Sequence, residues 1–325
     1  MRHMTQNKIY DFIVIGCGIS GLLAAKKLKE KSTSVLMLDK GRNFGGRMAT
    51  RFFDGAKFDH GAQFFTARSP MFKEYVNQWI SQGIVKIWYG DEEKKQPHPR
   101  YIAVNGMNSL PKHLGKTLEV KLSTEINNLD KKNKIWSVIC KKGNQYKCNH
   151  VILTTPGPQT SDILKNSNIE TPEKIKKYLD NISYERSLSI MLRLNKPSNI
   201  PKPGGLKMDH DILSWICDNQ IKGISSVPAL TIHTTSNYAK KTWDYPEKEK
   251  INDVTDIVND LLKISVKSAQ TQRWKFALPS NSPQIGSISD FDLQMTFAGD
   301  TFGGTRIEGA ALSGLDAADQ IINAN

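Results

Sequence analysis

The sequence predicts an α/β protein: a doubly wound parallel sheet begun at the N-terminus, interrupted by an α+β insertion and closed by the C-terminus. Three observations predict it. An apolar run, Asp11 to Ile15, stops abruptly at a glycine and leads through a helix-like segment to a second apolar run, Ser34 to Leu38. That makes a β-α-β unit of about 30 residues. The middle of the chain has a different texture, with strand-like segments separated by polar turns that carry Pro and Gly. The end returns to the first pattern, where a short buried strand, Met295 to Ala298, runs into Gly299-Asp300 and a long amphipathic helix.

Each element has a local reason. Between the first two strands, Ile19 to Glu30 places Ile19, Leu22, Leu23 and Leu28 among alanines, as a helix packed closely on a sheet requires. Phe72 to Ile80 is amphipathic, Asp91 to Pro99 reads as a polar loop, and Asn105 to Leu114 reads as a short capped helix. Strands are expected at Val120 to Ile126, Ile135 to Cys140 and Val151 to Thr155, the last stopped by Pro156-Gly157-Pro158. Leu188, Ile190, Leu192 and Leu194 alternate with Ser189, Met191 and Arg193, which predicts a half-exposed strand of a mixed sheet. Strands at Ala229 to Thr234 and Gln272 to Ala277 flank a helix from Glu247 to Leu262. The closing helix, Ile307 to Ile322, keeps Ile307, Ala311, Leu315, Ala318 and Ile322 on one face.

Composition narrows the class. The chain has 325 residues, of which 38% are hydrophobic and 24% charged, so collagen-like, low-complexity and disordered readings are excluded. Cys17, Cys140, Cys148 and Cys217 are scattered, with no C-x-x-C pair and no ligand-spaced histidines. This argues against a disulfide scaffold or a metal site and fits a reducing compartment. The longest nearly apolar run, Phe12 to Ala25, is interrupted by glycines, is followed by Lys26-Lys27, and falls short of the ~20 residues of a membrane span. A cytoplasmic protein with no membrane partner is expected. The net charge is +13, but lysines are dispersed and no basic block is interleaved with aromatics. A solvated surface explains that better than a nucleic-acid footprint, so no nucleic-acid partner is expected.

Gly16-Cys-Gly18-Ile-Ser-Gly21 is a G-x-G-x-x-G that follows a strand, opens a helix and precedes Asp39 at the end of the next strand. In that context it is the Rossmann fingerprint of a dinucleotide-binding fold. Gly16 permits the tight turn, Gly18 lets backbone approach a pyrophosphate, and Gly21 lets helix and strand pack closely. The helix N-terminus offers free N–H groups to phosphates, and Asp39 can accept from ribose hydroxyls.

The residues beyond the fingerprint carry a resemblance. Asp39-Lys40-Gly-Arg-Asn-Phe-Gly-Gly46-Arg47-Met48 resembles the D/E-K-x-x-x-x-G-G-R segment of the amine-oxidase-like flavoprotein superfamily. Phe58-Asp-His60-Gly61-Ala62-Gln63-Phe-Phe-Thr-Ala-Arg68, with Gly46 to Arg51, Gln272 to Pro279 and Gly299 to Gly314, resembles its renalase-like branch. These segments cover about a third of the chain, so the resemblance speaks more to cofactor and fold than to substrate.

The resemblance implies FAD in a p-hydroxybenzoate-hydroxylase-type fold. The FAD-binding domain would comprise 1–66, 102–158 and 285–325, and the substrate domain 67–101 and 159–284. Besides the fingerprint residues Gly16, Gly18, Ile19, Ser20, Gly21 and Asp39, it implies cofactor contacts at Lys40, Gly46, Arg47, Met48, His60, Gly61, Ala62 and Gln63. Arg47 would set a fork of donors on the pyrophosphate. Ile126 would meet the adenine, Thr155 the region of the ribose, and Gly299 and Asp300 the pyrophosphate and ribityl chain. Arg306 and Ile307 would bring the closing helix to the flavin O2/N1 edge, where its dipole stabilises negative charge. Residues 299–314 contain no Cys, His or Tyr for a covalent flavin link, so noncovalent binding is expected.

The activity implied is transfer of a hydride from a small substrate to flavin N5 and of two electrons to O2, giving hydrogen peroxide. In the renalase-like branch the substrates are 2- and 6-dihydro isomers of NAD(P)H. Candidates on the substrate side are His60, Gln63, Trp274 and Arg193, with Arg68, Arg273 and Lys275 bordering the pocket. His60 beside Asp59 can be a base or a structural hydrogen-bonding residue, and Trp274 can roof the pocket or fill core. Two rival functions stand beside this one: an amine oxidase or desaturase-like flavin dehydrogenase, and a non-catalytic flavin-binding redox sensor.

Overall fold

The computed structural model describes residues 8–90, 98–167 and 169–324. Most of the loop expected between Asp91 and Pro99 lies outside the described residues. The chain divides into two compact units, one of Met1–Gly46, Pro111–Ser183 and Pro279–Asn325, the other of Arg47–Leu110 and Tyr184–Leu278. Relative to the expected boundaries, 47–66 and 102–110 pass to the second unit, and 159–183 and 279–284 pass to the first. The reason is local pairing. Strands Thr50–Phe53 and Ala56–Asp59 form a hairpin whose side chains, Ala56 and Phe58, bury against Met191 and Ala229 of the second unit.

The first unit is built on an eight-stranded sheet. Its main path runs Ile288–Asp290, Met295–Phe297, Gln145–Leu153, Ile9–Ile15, Val35–Leu38 and Glu119–Lys121. Ile9–Ile15 pairs in parallel with both Gln145–Leu153 and Val35–Leu38, which explains why Ile13, Val14, Leu36 and Leu38 are all buried. Helix Ile19–Lys29 packs on the closing helix, Ile307–Ala324. A Cβ at Gly314 would collide with the Ser20 carbonyl, so the two helices touch backbone to backbone. On the closing helix Ala311, Leu315 and Ala318 are buried as expected, whereas Ile307 and Ile322 are half-exposed and Ile321 takes the inner position.

Two strand expectations in this unit need correction. The stretch from Val120 to Ile126 is not one strand: Glu119–Lys121 ends, Ser123 turns through φ 54°, and Ile126–Lys132 begins a hairpin with Ile135–Cys140. The strand expected at Val151 starts earlier, at Gln145, because its first half pairs antiparallel with Ile135–Cys140.

The second unit centres on a five-stranded sheet in the order Gly205–Lys207, Leu213–Asp218, Ala229–Thr234, Tyr184–Leu194 and Val266–Pro279. The first four strands pair antiparallel throughout. Tyr184–Leu194 is not half-exposed as expected. Leu188, Ile190, Leu192 and Leu194 bury under helix Glu247–Leu262 with Val254 and Val258, while Ser189 and Met191 bury on the opposite face. Both faces are covered, so polar alternation there marks a second buried surface rather than solvent. All four cysteines, Cys17, Cys140, Cys148 and Cys217, are free and buried. Among the described residues no helix is long and apolar enough to cross a membrane.

Candidate functional site

In the first unit the fingerprint turn has the geometry its glycines predict. Gly16 sits at φ 113°, a conformation that side chains rarely adopt, and its N–H donates to the Leu38 carbonyl at 2.8 Å. A Cβ at Gly21 would overlap the Gly16 carbonyl and press on Val14, so this glycine is what lets helix and strand close up. Around Gly18 a Cβ would meet nothing within 4 Å. Gly18 is also the N-cap of helix Ile19–Lys29, and no side chain caps it. Ser20, just inside, has a buried Oγ with no partner. An open glycine, an uncapped helix end and an orphaned hydroxyl together fit an anionic group docked on the turn.

The groups around this turn are held firmly. The Asp39 carboxylate accepts the N–H groups of Cys17 and Gly41, both at 2.6 Å, which ties the second strand's end to the fingerprint. Gly45 N–H donates to the Cys17 carbonyl at 2.8 Å, and Gly46 at φ 54° lies against Gly18. Thr154 Oγ1 donates to the Ile15 carbonyl at 3.0 Å, and the Thr155 and Thr160 hydroxyls meet at 2.8 Å. Gly299, at φ 110°, donates to Ser313 Oγ at 2.8 Å and leads into the buried Asp300. Ile126 is buried at the start of its strand, and Lys40 and Arg306 are exposed.

The second unit holds a denser cluster. Asp59 and Lys222 form an ion pair at 2.9 Å with both side chains fully buried. Asp59 also accepts from the Thr50 hydroxyl at 2.6 Å and the Met107 N–H at 2.8 Å, and its own N–H donates to Asn219 at 3.1 Å. The carboxylate is thus held by three donors, one of them a buried cation. The His60 carbonyl accepts from Trp274 Nε1 at 2.8 Å and the Ser189 hydroxyl at 2.6 Å, and the Trp274 ring stacks on the imidazole at 5.4 Å. Gln63 Nε2 donates to the carbonyls of Asp59 at 2.6 Å and Gly61 at 3.1 Å, and lies 3.3 Å from His233 Nε2. Burial, reinforced by the Arg51 charge, pushes His60 down to about 3, and burial with the Lys222 charge pushes His233 down to about 4. Both imidazoles are neutral at physiological pH. Gln63 Oε1 and His60 Nδ1 are buried without partners.

Beside Gln63 stands an aromatic wall. The Phe64 ring lies 6.1 Å from Trp88 and 5.7 Å from Trp215. Arg100 sits over Phe64 at 5.5 Å and over Tyr89 at 5.8 Å, and Lys222 Nζ lies 5.2 Å from the Trp88 ring.

A family of flavin-containing amine oxidoreductases matches residues 85–322, and an NAD(P)-binding Rossmann-like domain matches residues 14–79. The chain belongs to the flavin-containing amine oxidoreductases. Within them it is renalase-like: renalase of Mus musculus is 27% identical over 243 residues, covering 69% of this chain and 71% of that protein. A flavin-containing amine oxidase of Oncorhynchus mykiss is 53% identical over 47 residues, 14% of this chain and 9% of that protein. A solved structure from Exiguobacterium sp. 255-15, provisionally named protoporphyrinogen oxidase, superposes with a TM-score of 0.75 at 12% identity, covering 99% of this chain and 100% of that one. A redesigned putrescine oxidase gives a TM-score of 0.72 at 12% identity, covering 97% and 99%. The protein is accordingly a flavin-dependent oxidoreductase with an α/β Rossmann-type fold.

Not every expected site residue of this amine oxidoreductase stands where the sequence suggested. Arg193 is far from the His60 cluster. Its guanidinium donates to the carbonyls of Asp54 and Pro228, and it lies four positions along its strand from Ser189, roughly 13 Å. Arg273 and Lys275 are exposed on the face opposite Trp274, as strand alternation dictates. Arg47 has Nη1 on the carbonyls of Phe276 and Ala277, both at 3.3 Å, so part of its fork is already spent on backbone. Met48 is buried, and Gly61 packs its Cα against the Arg47 carbonyl. The sequence reading missed His233, Lys222, Asn219 and Ser189. Two of them left a signal: Ser189 in the alternation of its strand, and His233, which with Thr231 puts polar side chains on alternate positions of strand Ala229–Thr234.

Proposed function

We propose that the protein binds FAD noncovalently and oxidises 2- or 6-dihydro isomers of NAD(P)H to NAD(P)+, with O2 as the final acceptor. The cofactor side of this reading rests on the first unit. The open Gly18, the uncapped helix end and the orphaned Ser20 hydroxyl fit the pyrophosphate, Asp39 keeps acceptor capacity for the ribose, and Gly299, Asp300 and the start of the closing helix would bear on the flavin. With no Cys, His or Tyr among residues 299–314, nothing there offers a covalent link. Bound flavin would supply the two-electron acceptor.

The observation that carries the substrate assignment is the charge of the second unit's cluster. Its carboxylate Asp59 is neutralised by Lys222, its histidines are neutral, and its aromatic faces carry Arg100 and Lys222. A cationic amine gains from free aromatic faces and anions and loses beside arginine. A neutral dihydropyridine on a diphosphate suits the cluster better. Loss of hydride from such a ring restores aromaticity, so the chain's residues need only orient it and exclude water; no side chain must remove a proton.

Anaerobic mixing tests the assignment. The 2- or 6-dihydro isomer should bleach the flavin fast, ordinary 4-dihydro NADH far more slowly, and simple amines not at all. Rapid bleaching by a primary amine with the dihydro isomers inert would replace this reading with amine oxidation. Acid precipitation should release FAD to the supernatant; flavin left in the pellet would contradict the noncovalent assignment.

A further inference from the structure

The turn after strand Ala56–Asp59 leaves two deeply buried side-chain atoms without partners, Gln63 Oε1 and His60 Nδ1, on residues only 6% and 7% exposed. A buried polar atom left alone costs about 1–3 kcal/mol, so each calls for a partner.

The orientation of the Gln63 amide is dictated by its surroundings. Its nitrogen faces the carbonyl oxygens of Asp59 and Gly61, which can only accept. Turning the amide over would set oxygen against oxygen at those distances. His233 Nε2, at 3.3 Å, faces the same nitrogen and is compatible with it only as a lone pair, which assigns the proton of this neutral ring to Nδ1. Gln63 Oε1 is therefore a committed acceptor. It must meet an N–H or O–H. His60 Nδ1, three residues earlier in the same turn, can donate in one of its two neutral tautomers.

An acceptor and a donor presented from one turn, three residues apart, can together complement a group that carries N–H2 and C=O on one carbon. We propose that Gln63 Oε1 and His60 Nδ1 read a primary carboxamide on the substrate, and that His233 is a positioning residue that holds Gln63 in its reading orientation. This rests on the proposed nicotinamide-type substrate, whose ring bears one such group. The imide edge of a flavin presents an N–H beside a C=O as well, so the test separates the two sources.

The experiment titrates flavin-loaded protein with NAD+ and with 3-acetylpyridine adenine dinucleotide, which differs in having methyl in place of the amide NH2. Calorimetry or perturbation of the flavin spectrum reads binding. The wild type should bind NAD+ tenfold or more tighter. Q63M should bring the two within about twofold while keeping its flavin, H233L should lose most of the preference, and H233Q, which restores an acceptor, should regain part of it. If neither dinucleotide binds, benzamide against acetophenone makes the same comparison. Equal affinities in the wild type, or a preference unchanged in Q63M, would overturn the inference. Loss of flavin from Q63M with the preference intact would overturn it too and assign the pair to the cofactor. The two readings fail separately: discrimination without bleaching by dihydro isomers sinks only the substrate assignment, and bleaching without discrimination sinks only the carboxamide contact.

Discussion

Lys222 and Asp59 lie with opposite charges fully buried, and removing one strands the other. K222M should destabilise the protein by about 3–5 kcal/mol in denaturant titrations, and adding D59N should recover much of the loss. A K222M variant of unchanged stability would show that water reaches Asp59. His60 and His150 are buried and His233 is half-buried, and desolvation holds all three neutral, pushing them down to about 3, about 4 and about 4. Since the folded state takes protons less readily than the unfolded chain, stability is full above pH 6.5 and falls as pH drops through the window between the unfolded value and those folded values. Each histidine should cost about 2 kcal/mol by pH 5. Thermal midpoints should therefore fall steeply from pH 7 to pH 5, and less steeply in H150Q, whose site lies apart from the His60 cluster. Residue roles were unevenly legible in the sequence. Asp59-His60 and Gln63 stand in a motif, whereas Lys222 gains its role only because the fold carries a loop lysine onto a distant carboxylate.

The fingerprint turn and its helix allow a sharper comparison. G18V adds a side chain where nothing lies within 4 Å, at a backbone conformation valine accepts, so it should fold with an unchanged melting temperature but fail to hold flavin. G21V puts its side chain into the Gly16 carbonyl and Val14, and should lose both stability and flavin. If G18V retains stoichiometric flavin at dilute concentration, the cofactor does not approach this turn. Elements with strong local patterns were legible: helix Glu247–Leu262 and strand Ala229–Thr234 stand where periodicity puts them. The stretch from Val120 to Ile126 was misread because nothing apolar marks the turn at Ser123, and Tyr184–Leu194 because alternation cannot distinguish solvent from a second buried face.

For the whole molecule, a charge of +13 has a kinetic consequence. An anionic dinucleotide should be drawn in by the long-range field, so the second-order rate of anaerobic flavin reduction should fall severalfold between about 20 and 200 mM salt. A flat salt profile with an anionic donor would mean that the positive charge is spread away from its approach. The discontinuous plan was legible from matching patterns at the two ends of the chain, but the crossing points were not. Gly46/Arg47 falls inside the G-G-R segment itself, and only the pairing of Thr50–Phe53 with Ala56–Asp59 reveals to which unit the next residues belong. The four buried cysteines bear on durability. Burial pushes every one of their thiols up, Cys140 to about 11 and Cys217 to about 12, so almost no thiolate exists at neutral pH. Peroxide attacks thiolate, not thiol. Under the proposed reaction, which would yield peroxide, such a chain would be built to outlast its product: the folded protein should resist both iodoacetamide and millimolar peroxide, and all four sulfurs should react only once it is unfolded.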